Sequence, residues 1–269
     1  MESKFKRIPA VISVYNDDPN YLASIFSELW IYDNSDQQNS LGEKLLSQFA
    51  SRDKIVYVKA KNPGHSLANF LSFICENYQN LPSRFALLKS NVVPRHVSTL
   101  EELVSLLGVS GTVPLWFDSD FKSTGFQETR LTPNFYLERN NSWFLASGSE
   151  EYFSSFESFL DFLLEKPIKR EWIPFAPGAC YVTTKDDCLR RPKAFWEFLN
   201  FISSYKFFPP EAYLVERVLY LALTSPEATN PRFLAGDWQS DLSQIVLSRK
   251  GQSLRAKVKS AVLDLAHRI

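Results

Sequence analysis

The sequence predicts an α/β fold: a mostly parallel central sheet flanked by helices, with a C-terminal helical part. Three observations carry that prediction. The first ~90 residues alternate short apolar runs with helix-period segments, the pattern of strands joined by crossover helices. Leu67, Phe70, Leu71, Ile74, Cys75 and Tyr78 fall at i, i+3, i+4, i+7, i+8 and i+11, one continuous apolar helix face. Polar clusters follow the apolar runs, where loops at the carboxyl ends of parallel strands would gather.

Taken in order, "AVISVY" (10–15) is short, apolar and β-branched, so it reads as a buried strand. "NDDPNYLASIFSELW" (16–30) reads as a helix, with Asp17 or Asp18 as cap and Pro19 in the first turn. "LWIYDN" (29–34) is a second strand, "SLGEKLLSQFA" (40–50) a helix and "KIVYVKA" (54–60) a third strand. The strongest helix follows Pro63 and Gly64, and "FALL" (85–88) is the fourth strand. "VSTLEELVSLLG" (97–108) reads as a helix capped by Ser98 or Thr99 and stopped by Gly108. Residues 109–147 mix short apolar pieces with Pro, Gly, Asn and Ser, so they read as loops and short strands. "EEYFSSFESFLDFLLEK" (150–166) is helical in period, and "WIPFAPGACYVTT" (172–184) is a strand pair broken at Pro177 and Gly178. "DDCLRRPKAFWEFLNFISSY" (186–205) and "PPEAYLVERVLYLAL" (209–223) each read as one helix.

Residues 1–225 therefore form a single Rossmann-like α/β domain, and residues 226–269 a C-terminal extension. In that extension Leu254, Val258, Ala261, Val262, Leu265 and Ile269 share one helical face. Arg255, Lys257 and Lys259 surround it, so the segment is either a docked terminal helix or a peripheral contact with an anionic membrane surface.

The 30 basic and 30 acidic residues cancel, which argues against a general nucleic-acid binder. The 22 Phe, 11 Tyr and 6 Trp supply ample ring area for a large core. Cys75, Cys180 and Cys188 are odd in number and fit no zinc spacing, so they read as core thiols in a reducing compartment. The six-residue apolar run near the N-terminus is too short for a signal-peptide core, and no stretch reaches a membrane span. The expected location is cytoplasmic.

Four polar loops gather at the expected strand ends: Asn16–Asp18, Asp33–Asp36, Asn62–Ser66 and Ser90–His96. In "NPGHSLANF" (62–70), Gly64 lets a ligand approach the backbone, and the free amides of the following helix favour a phosphate. His65 and Asn69 can add donors, or the segment is a plain turn with Ser66 as helix cap. His96 can meet a substrate from the loop after the fourth strand, or lie at the surface. No histidine has a second one near it in sequence, so no metal ligand is assigned among them. Asp118 and Asp120 have acid-x-acid spacing, which could hold a divalent cation such as Mg²⁺ or Mn²⁺ on a diphosphate. Short Asp pairs are also common in loops. The chain has no P-loop, no G-x-S-x-G elbow and no G-x-G-x-x-G, which disfavours ATPases, serine hydrolases and dinucleotide oxidoreductases.

Two long blocks, residues 62–96 and 174–202, together with "EAYLVERVL" and the opening "VISVYNDDPNYL", resemble the uncharacterised family known as domain of unknown function 3431. The resemblance spans about residues 8–222 and rests on the N-x-G turn, the N-Y-x-N-L-P helix end, the R-R-P helix and the late E-R. The same order is similar to glycosyltransferases of the A type. That similarity implies a nucleotide site lined by Tyr15, Asn16, Asp17, Gly64 and Asn69. It implies Glu216 as catalytic base and Arg217 as a phosphate neutraliser. In such enzymes the fourth strand ends in the acid pair that holds a metal; here Lys89, Ser90 and Asn91 stand in that place. A lysine cannot ligate a cation while charged, but it can neutralise a diphosphate itself. The expected function is transfer of a sugar from a nucleotide-sugar donor to a glycan acceptor, with a metal-independent route open. The alternatives are an inactive binding module for a glycan or partner protein, and a phosphate-ester hydrolase built on Asp118 and Asp120.

Overall fold

The structure, a computed structural model, describes residues 8–15, 17–35, 55–61, 65–116, 129–131, 136–142, 144–145 and 151–246. It is α/β, with a six-stranded mixed sheet in the order β3-β2-β1-β4-β9-β5. The strands are β1 (Ala10–Val14), β2 (Leu29–Asp33), β3 (Ile55–Lys59), β4 (Arg84–Lys89), β5 (Val113–Pro114) and β9 (Tyr181–Thr184). β3, β2, β1 and β4 are parallel, as the strand–helix alternation predicts, while β9 runs antiparallel to both β4 and β5. A second, antiparallel sheet joins β6 (Thr129–Leu131), β7 (Tyr136–Arg139) and β8 (Trp172–Phe175).

β1 is buried at all five positions, the signature of a parallel strand covered on both faces. Its side chains alternate between two cores, as the twofold repeat of a strand requires. Val11 joins Phe85 and Leu87 in one; Ala10, Ile12 and Val14 join Ala86 and Leu88 in the other. The first core lies under α1 (His65–Glu76), α3 (Phe156–Leu163), α4 (Lys193–Ser204) and α5 (Glu211–Thr224); the second lies under α2 (Leu100–Leu107). Phe233, Trp238 and Leu242 enter the first core, so residues 226–246 pack on the α/β unit. There Phe162, Phe198 and Phe233 form a triangle with ring centroids 5.0–5.8 Å apart. Burying each ring contributes roughly 1.5–3 kcal/mol.

Several local predictions hold. α2 starts at Thr99, whose side chain accepts from the Glu102 amide, and ends at Gly108. The three cysteines are free thiols, two of them buried. Three others need correction. Asn20–Ser24 is a single 3-10 turn and not an α-helix, because Asp18 caps the Asn20 amide at 2.9 Å and Tyr21 is pinned to the Ser90 carbonyl at 2.7 Å. The predicted helix over 186–205 breaks at Pro192, which lacks an N–H and sits in extended backbone between a short helix at Lys185–Leu189 and α4. β8 and β9 belong to different sheets, because Gly178 (φ 84) and Ala179 (φ 58) reverse the chain between them. The predicted helix over 40–50 and the basic tail helix lie outside the described residues. Among those described, no helix is long and apolar enough to cross a membrane.

Candidate functional site

β2 and β3 lie on one side of β1 and β4 on the other, so the connections diverge at the carboxyl ends of β1 and β4. Ligands in open α/β sheets bind at such a divergence. Register places the strand ends level: Ser13 pairs with Lys89 and with Tyr32, and Val14 with Asp33. A cavity of about 400 Å³ opens there, within the ~300–1,000 Å³ typical of small-ligand sites.

The loops after the strands and the start of α1 supply Tyr15, Asp17, His65, Lys89, Asn91 and Arg95 to this cavity. The C-terminal half supplies Gly178, Phe208, Tyr213 and Glu216. Six residues expected from the sequence are thus brought together: Tyr15, Asp17, His65, Lys89, Asn91 and Glu216. Asn16 and Gly64 lie outside the described residues, as do Asp118 and Asp120. Among the described residues, no group of three or more His, Cys, Asp or Glu is placed to hold a metal ion.

Among the described residues, Lys89 Nζ has no hydrogen-bond or ion-pair partner. It shares the cavity wall with Arg95 and with the first turn of α1, where Ser66 and Leu67 lie. Two cations and a helix N-terminus make this end attractive to phosphate oxygens. His65 begins α1 with a left-handed φ of 56° and meets the Phe208 ring edge to face. Burial, and then Lys89, push its pKa down to about 4, so it is neutral at pH 7. Ser66 falls inside the helix and not at its cap.

Asn69 does not line the cavity but braces it. Its Nδ2 donates to Ser13 Oγ at 2.9 Å and to Asn34 Oδ1 at 3.2 Å, and Asn34 Nδ2 donates to the same Ser13 oxygen at 3.0 Å. Ser13 and Asn34 in turn form part of the wall. Asp33, at the end of β2, is wholly buried. It accepts from the Ser35 amide at 2.8 Å, Tyr57 Oη at 2.6 Å and Lys59 Nζ at 3.2 Å. Burial pushes its pKa up, but these donors outweigh burial and hold it below the usual carboxylate value.

His96 is not at the surface. It is 1% exposed behind the cavity, and neither ring nitrogen has a hydrogen-bond partner. Burial, then Lys89 and Arg95, bring its pKa down to about 3. Gly178 packs against it so closely that a Cβ there would lie 2.6 Å from His96 Cε1 and 2.8 Å from Lys89 Nζ.

Glu216 is carried by α5, which is anchored at both ends. Near its start the buried Glu211 accepts from the amides of Glu151 and Tyr152 at 2.7 and 2.8 Å and from Tyr205 Oη at 2.8 Å. At its end the buried Arg191, from the R-R-P segment, donates to the carbonyls of Ala222 and Ser225 at 3.2 and 3.0 Å. Glu216 Oε1 accepts from the Gly178 amide at 2.6 Å, and Oε2 accepts from Arg217 Nη1 at 3.2 Å. Each oxygen keeps one further lone pair for a ligand hydroxyl. Arg217 is placed otherwise than expected. It is not in the cavity wall; it is buried, bidentate to Glu138 at 2.7 and 3.0 Å, and sandwiched near Phe144 and Phe175.

Asn34 and Arg95 fall in two of the polar loops read from the sequence without being singled out, and Ser13, Gly178, Phe208 and Tyr213 are among the lining residues that sequence reasoning does not pick. Asn34 and Gly178 carried a signal, as a polar residue after a strand and a glycine at a turn. Phe208 and Tyr213 carried none, being two aromatics among many. No family model, curated protein or solved structure matches the chain.

Proposed function

We propose that the protein is a glycosyltransferase-like enzyme that moves a sugar from a nucleotide diphosphate to a glycan hydroxyl. One observation carries the reading: Lys89, a cation without a partner among the described residues, and Glu216, a fixed carboxylate, flank Gly178 in one cavity at the divergence of the parallel strands. In this reading the diphosphate lies against Lys89, Arg95 and the first amides of α1. Tyr15, half-exposed at the rim, takes the base, and Asp17 a ribose hydroxyl.

The chemistry then follows from position. Glu216 accepts the proton of the acceptor hydroxyl as general base. That oxygen forms its bond to the anomeric carbon while the bond from that carbon to the diphosphate oxygen breaks. The electron pair stays on the leaving diphosphate, where Lys89 and Arg95 balance the charge. The route needs no metal, and a divalent cation bound by residues outside those described would add to the same charge balance.

A second reading, a glycan-binding module without turnover, has one observation in its favour: Glu216 is already engaged by Gly178 and Arg217. Melting temperature against a panel of nucleotides and nucleotide sugars, with Mg²⁺, Mn²⁺ or EDTA, tests both. A ligand that binds only the native state raises the melting temperature. A shift with one nucleotide that survives EDTA supports the metal-independent route. A shift that needs metal brings Asp118 and Asp120 back as ligands. No shift at millimolar concentration sinks the transferase. Release of nucleoside diphosphate that Glu216→Gln abolishes while binding persists separates enzyme from module.

A further inference from the structure

From the wall supplied by the C-terminal half, we infer that Phe208 and Tyr213 form the stacking face of an acceptor subsite for an uncharged pyranose ring. The inference rests on the sugar-transfer reading and names the acceptor that the reading leaves open. Phe208 and Tyr213 are 41% and 50% exposed and both line the cavity, where His65 meets the Phe208 ring edge to face. Rings left half-wet in a concavity are the usual mark of a ligand site. Phe208 is also held at a left-handed φ of 53°, a strained conformation for a non-glycine residue that clusters at binding sites.

The neighbours select the ligand chemistry. Tyr213 and Glu216 lie three residues apart on α5, so one helical turn separates a phenol ring from a carboxylate on the same face. Pro209 and Ala212 complete an apolar strip that ends at that carboxylate. A pyranose matches this arrangement: its ring C–H face is weakly positive and packs on an aromatic face, while its rim hydroxyls donate to a carboxylate. An anionic sugar would set its charge against Glu216. An acyl chain would leave Glu216 unpaired beside hydrocarbon.

The test uses methyl glucopyranosides, galactopyranosides and mannopyranosides as probes, with the full-length protein and saturation-transfer NMR. At least one glycoside is expected to receive saturation through its ring C–H protons. Tyr213→Ala should weaken it about tenfold or more, and Tyr213→Phe should retain it. The signal should persist when a nucleoside diphosphate occupies its own part of the cavity. The inference is overturned if no glycoside binds at millimolar concentration, if the nucleotide displaces it, or if Tyr213→Ala binds as the wild type does. Tyr213-dependent glycoside binding without any nucleotide binding would instead end the transferase reading and leave the glycan site standing.

Discussion

The Gly178 amide donates to Glu216 at 2.6 Å, while the space a Cβ of the same glycine would need is taken by His96 and Lys89. One residue thus sets the carboxylate and the cation on either side of it. Gly178→Ala should disturb both. Its φ of 84° strains any side chain, and the added methyl would lie 2.6 Å from a buried ring. A loss of about 2–3 kcal/mol in urea unfolding is expected, with weaker nucleotide binding. A variant as stable as the wild type would mean that the loop relaxes freely.

Lys89→Met should behave in the opposite way. The amine has no partner among the described residues, so its removal should change stability by less than about 0.5 kcal/mol. Nucleoside diphosphate affinity should fall about 10- to 100-fold, the value of a hydrogen bond to a charged group. Titration calorimetry at two salt concentrations reads this directly. Unchanged affinity would place the diphosphate elsewhere.

His96 predicts an acid-dependent loss of stability. Its pKa is about 3 in the folded protein and ~6.5 in the unfolded chain. As pH falls through 6.5 the unfolded state takes up a proton that the folded state refuses. Stability should therefore be flat above ~6.5 and fall toward pH 3, by up to about 1.4 kcal/mol per pH unit. His65, at about 4 and more exposed, adds a smaller term in the upper part of that window. In His96→Leu the slope should be shallower, with stability at pH 7 kept, because neither ring nitrogen has a bond to lose. An unchanged slope in urea titrations at pH 7, 5.5 and 4.5 would refute the assignment.

Glu138 and Arg217 form a buried pair, 1% and 7% exposed at the side chain. Glu138→Ala should cost about 3–5 kcal/mol, because it removes the closest counter-charge of a buried guanidinium and leaves it, among the described residues, only the 3.2 Å contact to Glu216 and the Tyr213 carbonyl. Combining it with Arg217→Met should recover much of that loss. A double-mutant cycle by chemical denaturation measures the coupling. Additive effects would mean that the pair does not act as a unit.

Much of the parallel half was legible in the sequence. β1 and β4 are buried on both faces and read as unbroken apolar runs, and α1 shows one uninterrupted apolar stripe. The end of a helix is equally local at Gly108. Strand order is not local. Nothing in "YVTT" says that β9 inserts antiparallel beside β4, because that choice depends on Gly178 and Ala179 turning left-handed and on which sheet edge is free. The site divides along the same line. Lys89 and Asn91 could be placed from the end of β4. Glu216 came from a resemblance, and its partner Gly178 lies 38 residues away in sequence. The placement of Arg217 is not legible in the sequence, because the acid it pairs with, Glu138, is 79 residues distant and sits in the second sheet.

If the cavity takes a nucleotide as proposed, the burial of Asp33 bears on how its pentose would be read. At the end of a second parallel strand, an acid is the usual partner of a ribose 2′-hydroxyl. Here Ser35, Tyr57 and Lys59 already use it, and it is wholly buried. Under the proposed nucleotide reading, selection of ribonucleotides over their deoxy counterparts would fall to Asp17, the carboxylate after β1 that lines the cavity. Asp17→Asn should narrow the preference for UDP over dUDP, with Asp33 left untouched.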